Sequence, residues 1–421
     1  MNSCFSSAEI LLPDFQSVAP ERWAVVACDQ FTSEPSYWEQ AEQLVGNAPS
    51  TLRLILPEVY LHETRQRIPQ IHTAMQEYVS SVLQSHPNSM IYTERTQADG
   101  SIRRGVVLAI DLECYDYRKG ASSLIRATEA TVVERIPPRV AIRRGASLEL
   151  PPVRLLIDDP DHTVIEPLSV QETGRIAYDT DLMLNGGHLR GRFLSAEEMK
   201  RLSFALEALI SPEQIRARYG DASLSPLLFA VGDGNHSLAS AKAAYEEIKN
   251  SIGAERAACH PARYALVEIV NIHDEALCFE PIYRVVFGVD QKDLLRELQA
   301  YIQCQHGIAA PQSMLMLWKN GQCELSIPSP VRQLTVGTLQ DFLDGYCQTH
   351  PHVQIDYIHG EDSLKRLCER ENTVGFLFDG MQKSYLFRTV IFDGALPRKT
   401  FSMGHAEEKR YYMECRRITN T

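Results

Sequence analysis

One stretch constrains the fold more than any other: Leu227-Leu-Phe-Ala-Val-Gly-Asp-Gly-Asn-His-Ser-Leu-Ala-Ser-Ala-Lys242. Leu227 to Val231 is a continuous apolar run of the length of a buried strand. Gly232, Asp233 and Gly234 follow as a tight turn. Asn235, His236 and Ser237 then open an Ala-rich amphipathic segment reaching about Ile248. Strand, turn and helix in that order point to a sheet with helices packed on it. In open α/β sheets ligands collect at the carboxyl ends of strands, beside helix N-termini. Chemistry is expected at this turn, where a carboxylate, an amide, an imidazole and a hydroxyl fall within five residues.

The rest of the chain supplies strands and helices in mixed order. Strands are expected at Trp23–Cys28, Leu52–Leu56, Val153–Ile157, Tyr264–Ile272, Pro281–Gly288, Ser313–Trp318, Gly375–Phe378 and Tyr385–Phe387. Ile102 and Val106–Leu112 read as a pair of strands about Gly105. Helical spacing of apolar residues marks Ile68–Gln84, Ala196–Ile210, Asp290–Tyr301, Leu339–Cys347 and Asp362–Glu369. Ser36 with Glu39 has the spacing of a capping box. Pro69 is expected in a first turn, and Pro137-Pro138 is expected to stop a helix. The fold class that follows is α/β, an α+β mixed sheet. No repeat or low-complexity linker interrupts the chain. The organisation expected is an α/β region over 1–288 that holds the site, an appended subdomain over 289–380, and a C-terminal segment, 381–421, that returns to the site.

The 421 residues are 44% hydrophobic and carry a formal net charge of -12. That balance argues against broad nucleic-acid binding, which needs clustered Lys and Arg. It leaves room for an anionic small ligand in a locally positive pocket. The ten cysteines are scattered, with none spaced as Cys-x-x-Cys, so a zinc ribbon or a dithiol redox motif is not expected. The N-terminus lacks the basic start and long apolar run of a secretory signal. No stretch approaches the ~20 apolar residues of a membrane helix. A cytoplasmic protein without a membrane partner is expected, and a homo-oligomer is left open.

Four polar constellations carry candidate chemistry. At the first, Asp233 between two glycines brings a carboxylate and backbone N–H groups close to a ligand. It is placed to accept a hydroxyl proton or to hold a magnesium ion, and His236 sits where a helix dipole favours phosphate. The same residues also describe a plain capped turn. The second holds Arg126, Arg135 and Arg139, whose guanidiniums match phosphate, with Glu129 as a second carboxylate; a solvated helix face has the same composition. The third, Asp179, Asp181, Asn185 and His188, reads as a metal or phosphate loop or as an Asx-rich turn. The fourth is Lys399, His405, Lys409 and Arg410, a cationic cluster suited to closing over an anion or to lying in solvent. A P-loop, a Gly-x-Ser-x-Gly elbow, a Gly-x-Gly-x-x-Gly fingerprint and His-Glu-x-x-His are all absent from the sequence.

Several phrases together resemble a known family. Ala-Cys-Asp-Gln-Phe-Thr-Ser (27–33), Gly-Asp-Gly-Asn-His-Ser-Leu-Ala (232–239) and Lys-Thr-Phe-Ser-Met-Gly (399–404) are similar to the domain-of-unknown-function 1015 family, and the resemblance runs over essentially the whole chain. That family looks related to the ParB/sulfiredoxin superfamily, which includes free-serine kinases. The resemblance implies a ParB/sulfiredoxin-like core with large additional α/β regions. It also implies a nucleotide-dependent kinase, using ATP or ADP and Mg2+, that phosphorylates a hydroxyl of an amino-acid-like substrate. The alternative is a non-catalytic nucleotide-binding or regulatory protein. The kinases' Asp-Gly-His-His-Arg motif aligns with residues 233–237, where Asp233, Gly234 and His236 agree and Asn235 and Ser237 depart. By this resemblance Asp233, His236 and Glu129 are the catalytic candidates, and Asp233 holds the metal. Gly232, Gly234, Asn235, Ser237, Arg126, Arg135 and Lys409 bind the cofactor. Ser237 stands where the kinases have Arg, so Arg126, Arg135 or Lys409 must supply the missing cation if phosphoryl transfer is kept.

Overall fold

A computed structural model of the chain describes residues 3–129, 136–150, 152–170 and 174–420. The chain forms two compact units. The first comprises Met1–Ala127, Thr131–Leu277 and His405–Thr421; the second comprises Thr128–Ala130 and Cys278–Gly404.

A mixed sheet organises the first unit. Its strands run in the order Ile176–Asp181, His188–Phe193, Ile91–Thr96, Ile102–Asp111, Tyr264–Asn271, Arg154–Ile157, Phe229–Asp233, Ile125–Ala127 and Tyr115–Asp116. Arg154–Ile157 runs parallel to Tyr264–Asn271, and Phe229–Asp233 runs parallel to Ile125–Ala127. Arg154–Ile157 and Phe229–Asp233 are antiparallel to each other. Tyr264–Asn271 is buried along nearly its whole length, as a central strand covered on both faces must be. Val107, Ala109 and Leu266 face one apolar core with Trp23, Trp38 and Tyr411. Val106, Leu108, Ala265 and Val267 face the other, with Phe229, Leu238 and Tyr245.

The chain's last stretch is woven into this unit. Tyr411–Tyr412 pairs with Val25–Val26, Cys415 bridges to Leu11, and Arg416–Arg417 pairs with Leu148–Glu149. The Trp23 indole N–H donates to the Met413 carbonyl at 2.8 Å.

In the second unit the strand Phe279–Phe287 lies between Gln354–His359 and Thr373–Leu377 and also pairs with Phe401–Met403, all antiparallel. The unit therefore spans 278–404, wider than the 289–380 read from the sequence, because Phe279–Phe287 and Phe401–Met403 belong to its sheet. The return to the first unit begins at His405, not at 381.

The expected mixed α/β sheet is present, and several local expectations are corrected. Leu52–Leu56 is not a strand: Thr51–Arg53 is a 3-10 turn, and Leu54, Ile55 and Leu56 are buried without a ladder. Tyr385–Phe392 is a helix. Ile102–Asp111 is one continuous strand through Gly105. A Cβ at Gly105 would lie 2.9 Å from the Thr93 hydroxyl, so the glycine marks a close approach and not a turn. Pro137-Pro138 opens the helix Ile136–Arg143 instead of stopping one, since a first turn needs no donated N–H. Pro69 lies inside the helix Thr64–Ser81, which begins earlier than the apolar spacing suggests. The helix Pro35–Val45 starts on its proline, without a side-chain cap from Ser36.

Candidate active site

The strand Phe229–Asp233 ends on Asp233, and the helix Asn235–Ile252 begins two residues later. Gly234 makes the junction with φ at +82°, a left-handed conformation that favours glycine. Its N–H donates to Asp233 Oδ1 at 3.0 Å. Lys409 Nζ lies 3.3 Å from Asp233 Oδ2, with both side chains largely shielded from solvent. Lys409 reaches this position because Tyr411–Tyr412 pairs with Val25–Val26 and the Ala27 N–H donates to the Arg410 carbonyl at 2.9 Å.

That pairing also brings Asp29 into the site. Burial pushes its carboxyl up to about 6, with the neighbouring Asp233 carboxylate and Glu58 adding to the rise, while Gln30 and Lys409 oppose it. The Gln30 amide donates to Asp29 Oδ1 at 3.0 Å. Phe31, two residues on, holds φ at +50°, an uncommon conformation for a bulky side chain. Cys28 precedes Asp29. Its N–H donates to the Tyr412 hydroxyl at 3.2 Å, and burial pushes its thiol up to about 12. A thiol held that high is not a nucleophile at neutral pH. The Glu58 N–H donates to the Cys28 carbonyl at 2.8 Å, and the Glu58 carboxylate pairs with Arg139.

A mainly apolar pocket adjoins these groups. Leu54, Leu56, Met75, Ile142, Leu148 and Leu238 line it, together with Cys28, Glu58, Arg139 and Ser237. Arg139 is carried by Ile136–Arg143, which packs on the Asp233 helix through Ile136, Val140 and Ala239. A slot of this character suits a flat or apolar ligand part, with charged groups at hand to orient it.

The structure thus brings Gly232, Asp233, Gly234, Asn235, His236, Ser237 and Lys409 together. Arg126 is otherwise engaged. Its guanidinium donates to the carbonyls of Ser123, Ser225 and Pro226 at 2.8, 3.0 and 3.1 Å, and its side chain is buried. It ties loops together and is corrected from a phosphate ligand to a structural clamp. Arg135 lies outside the described residues. Glu129 belongs to the second unit, where it bridges to Leu396. There burial pushes its carboxyl up to about 7 against hydrogen bonds from the backbone of Lys399 and Thr400. In the third constellation His188 spans Asp179 and Asp181 at 2.8 Å each, which makes a hairpin ion-pair cluster out of the expected ligand loop. Asp29 and Glu58 are the site residues that sequence reasoning missed. Asp29 stood inside a family-like phrase, and that was its one signal.

A family model described as a protein of unknown function (DUF1015) matches residues 13–346. The chain belongs to this family. DUF1015 membership agrees with the expectation from the three phrases, and residues 27–33 and 232–239 lie inside the matched span. A comparison with curated protein sequences found no match. Among solved structures, this DUF1015 chain is similar to a free serine kinase in complex with AMP, at 10% identity and a TM-score of 0.36, over 74% of this chain and 91% of that one. It is also similar to a conserved hypothetical protein from Pyrococcus furiosus, at 11% identity and a TM-score of 0.33, over 71% and 90% of the two chains. SbnI with a C-terminal truncation, from Staphylococcus aureus, matches at 11% and 0.33, over 71% and 82%. At that identity and score, the chemistry rests on this chain's own residues. No helix among the described residues is long and apolar enough to cross a membrane.

Proposed function

We propose that this protein is a nucleotide-dependent small-molecule kinase that phosphorylates a hydroxyl of an amino-acid-like substrate. The observation that carries the reading is the Asp233–Lys409 pair at 3.3 Å, beside Asp29, at the junction of a strand end and a helix N-terminus. Phosphoryl transfer asks for positioning and charge neutralisation more than for covalent chemistry by the protein.

Asp233 orients the substrate hydroxyl and takes its proton as the oxygen bonds to phosphorus and the nucleotide oxygen leaves. The electron pair of the broken P–O bond stays with the nucleotide. Lys409 holds Asp233 in place and offers positive charge to the incoming group. His236 and Ser237, in the first turn of an 18-residue helix, present the dipole end that favours phosphate. The apolar pocket beside Ser237 takes the flat base of ATP or ADP. Mg2+, when bound, neutralises charge on the phosphates. Asp233 and Asp29 offer the carboxylate oxygens that such a hard cation selects.

The alternative, a non-catalytic nucleotide-binding or regulatory protein, is favoured by one observation. Ser237 replaces the motif arginine, and Arg126 is committed to three carbonyls. The experiment is phosphorus NMR of the purified protein with ATP or ADP, Mg2+ and a panel of hydroxy amino acids. Transfer is expected in the wild type and is lost in Asp233→Asn. Nucleotide binding without transfer to any panel member moves the assignment to the regulatory reading.

A further inference from the structure

One face of the sheet carries buried charge on two rungs, four residues apart along Ile102–Asp111, and the second rung ends at Asp233. Arg95 is the register partner of Arg103, and Glu268 is the partner of Arg154, which in turn is the partner of Asp233. Thr93, two residues from Arg95 on the same face, donates to Glu268 Oε1 at 3.0 Å and closes the gap between the two rungs. From the returning C-terminal segment Arg410 adds its guanidinium, 3.3 Å from Glu268 and 2.5 Å from Glu414.

Arg95, Arg103, Arg154 and Arg410 face Glu268, Glu414, Asp274 and Glu408, and Lys409 pairs with Asp233. Mutual repulsion is visible in Arg103, held well below its ordinary value by burial first and then by Arg154 and Arg95. Arg95, Arg103 and Arg154 have exposures of only 2, 3 and 1%. Arg95 Nε, Arg103 Nε and Arg154 Nη2 are nevertheless buried without a hydrogen-bond partner among the described residues. Others of their nitrogens are in use. Arg95 donates to the Glu407 and Lys409 carbonyls at 2.8 and 3.4 Å, Arg103 to the Glu408 carbonyl at 3.1 Å, and Arg154 Nε to Glu268 at 3.4 Å. Buried cationic N–H groups left unmatched are costly, and native structures match them with an acceptor from the protein, a ligand or ordered water.

We propose that Arg95, Arg103 and Arg154 form an oxyanion subsite, adjoining Asp233, that receives a phosphoryl or carboxylate group of the ligand. The subsite rests on the same site as the kinase reading but not on transfer taking place. Seating an anion there breaks none of the protein hydrogen bonds described, because the three N–H groups are not engaged in them. The backbone of Glu407–Lys409 is held by Arg95 and Arg103, so Lys409 and the subsite belong to one assembly.

Calorimetric titration with inorganic phosphate, at constant chloride and ionic strength, tests it without nucleotide or turnover. Acetate in a parallel arm separates a carboxylate source from a phosphoryl one. Phosphate is expected to bind one to one and more tightly than acetate, because it carries more charge and more acceptor oxygens. Arg154→Lys keeps the charge toward Glu268 but removes the Nη2 donor, and should weaken phosphate about tenfold. Asp233→Asn removes a carboxylate beside Arg154 and should tighten phosphate several-fold, a change that damage to the fold does not produce. Binding of neither anion to the wild type overturns the proposal, and so does phosphate affinity unchanged in both variants. If phosphate binds as expected while no hydroxy amino acid is phosphorylated, the subsite stands and the kinase reading fails. Transfer in the wild type without phosphate binding does the reverse: the kinase reading stands and the subsite fails.

Discussion

Asp29 and Asp233 are two neighbouring carboxyl groups in one site, with Lys409 paired to Asp233 and opposing the rise at Asp29. The raised Asp29 is the residue-scale signature of that crowding. Carbon-detected NMR of the side-chain carboxyls should show Asp29 titrating near 6. Asp233→Asn should lower that value, because one repelling charge is gone. It should not return to the ordinary range, because burial is the larger cause. Lys409→Met should raise it. A value that moves in neither variant would show that the three groups do not share a site. Glu129 makes a second residue-scale case. Folding raises its carboxyl from the ordinary 4.5 to about 7, so the folded state holds that proton more tightly than the unfolded chain. Its contribution to stability is full below 4.5 and is lost as pH rises through about 7. Glu129→Gln should therefore flatten the fall in stability over that window, as followed by chemical denaturation at stepped pH.

At the scale of the element, the strand–turn–helix depends on two glycines for different reasons. Gly234 needs a left-handed backbone, and a Cβ there would sit 3.1 Å from Val153. Gly232 has an ordinary backbone, but a Cβ would lie 2.8 Å from the Leu156 side chain. Gly234→Ala should cost about 1–2 kcal/mol from the backbone alone, and more if Val153 does not yield. Denaturant midpoints at unchanged slope measure this. Asp233 is the last residue of the strand, so Gly234→Ala should also disturb its pairing with Lys409. The turn was legible in sequence because every residue that makes it is local. The helix at Ile136–Arg143 was misread for a complementary reason: a proline pair forbids a helix interior and fits a first turn, and only the backbone's direction decides which applies.

For the whole molecule, the decisive act is the return of the C-terminal segment. It delivers Lys409 to Asp233 and Arg410 to Glu268, and its strands close on Val25–Val26 and Leu148–Glu149. Glu268 is buried among cations and is held far below the ordinary carboxylate range against its own burial, chiefly by Arg410 and Arg154. Glu268→Ala should lose about 3–5 kcal/mol, the cost of leaving buried charges without their partner. A chain ended at Gly404 should lose cooperative unfolding of the first unit, as read by calorimetry, since Trp23, Leu11 and Glu149 all lose bonds to the removed segment.

The sequence by itself determined the mixed α/β class, the family and the Asp233 turn, because each is written in contiguous residues: apolar runs, turn glycines and a short motif. It could not assign partners to charges. Arg126 and Lys409 are both cations near recognisable phrases, yet one clamps loop carbonyls and the other meets a carboxylate. Asp29 stood in a family-like phrase but gave no sign of its partners, because Asp233 and Lys409 lie hundreds of positions further along the chain. Burial and opposed charge gave these groups their character, and both exist only once sheet register and the C-terminal return have brought distant backbone together.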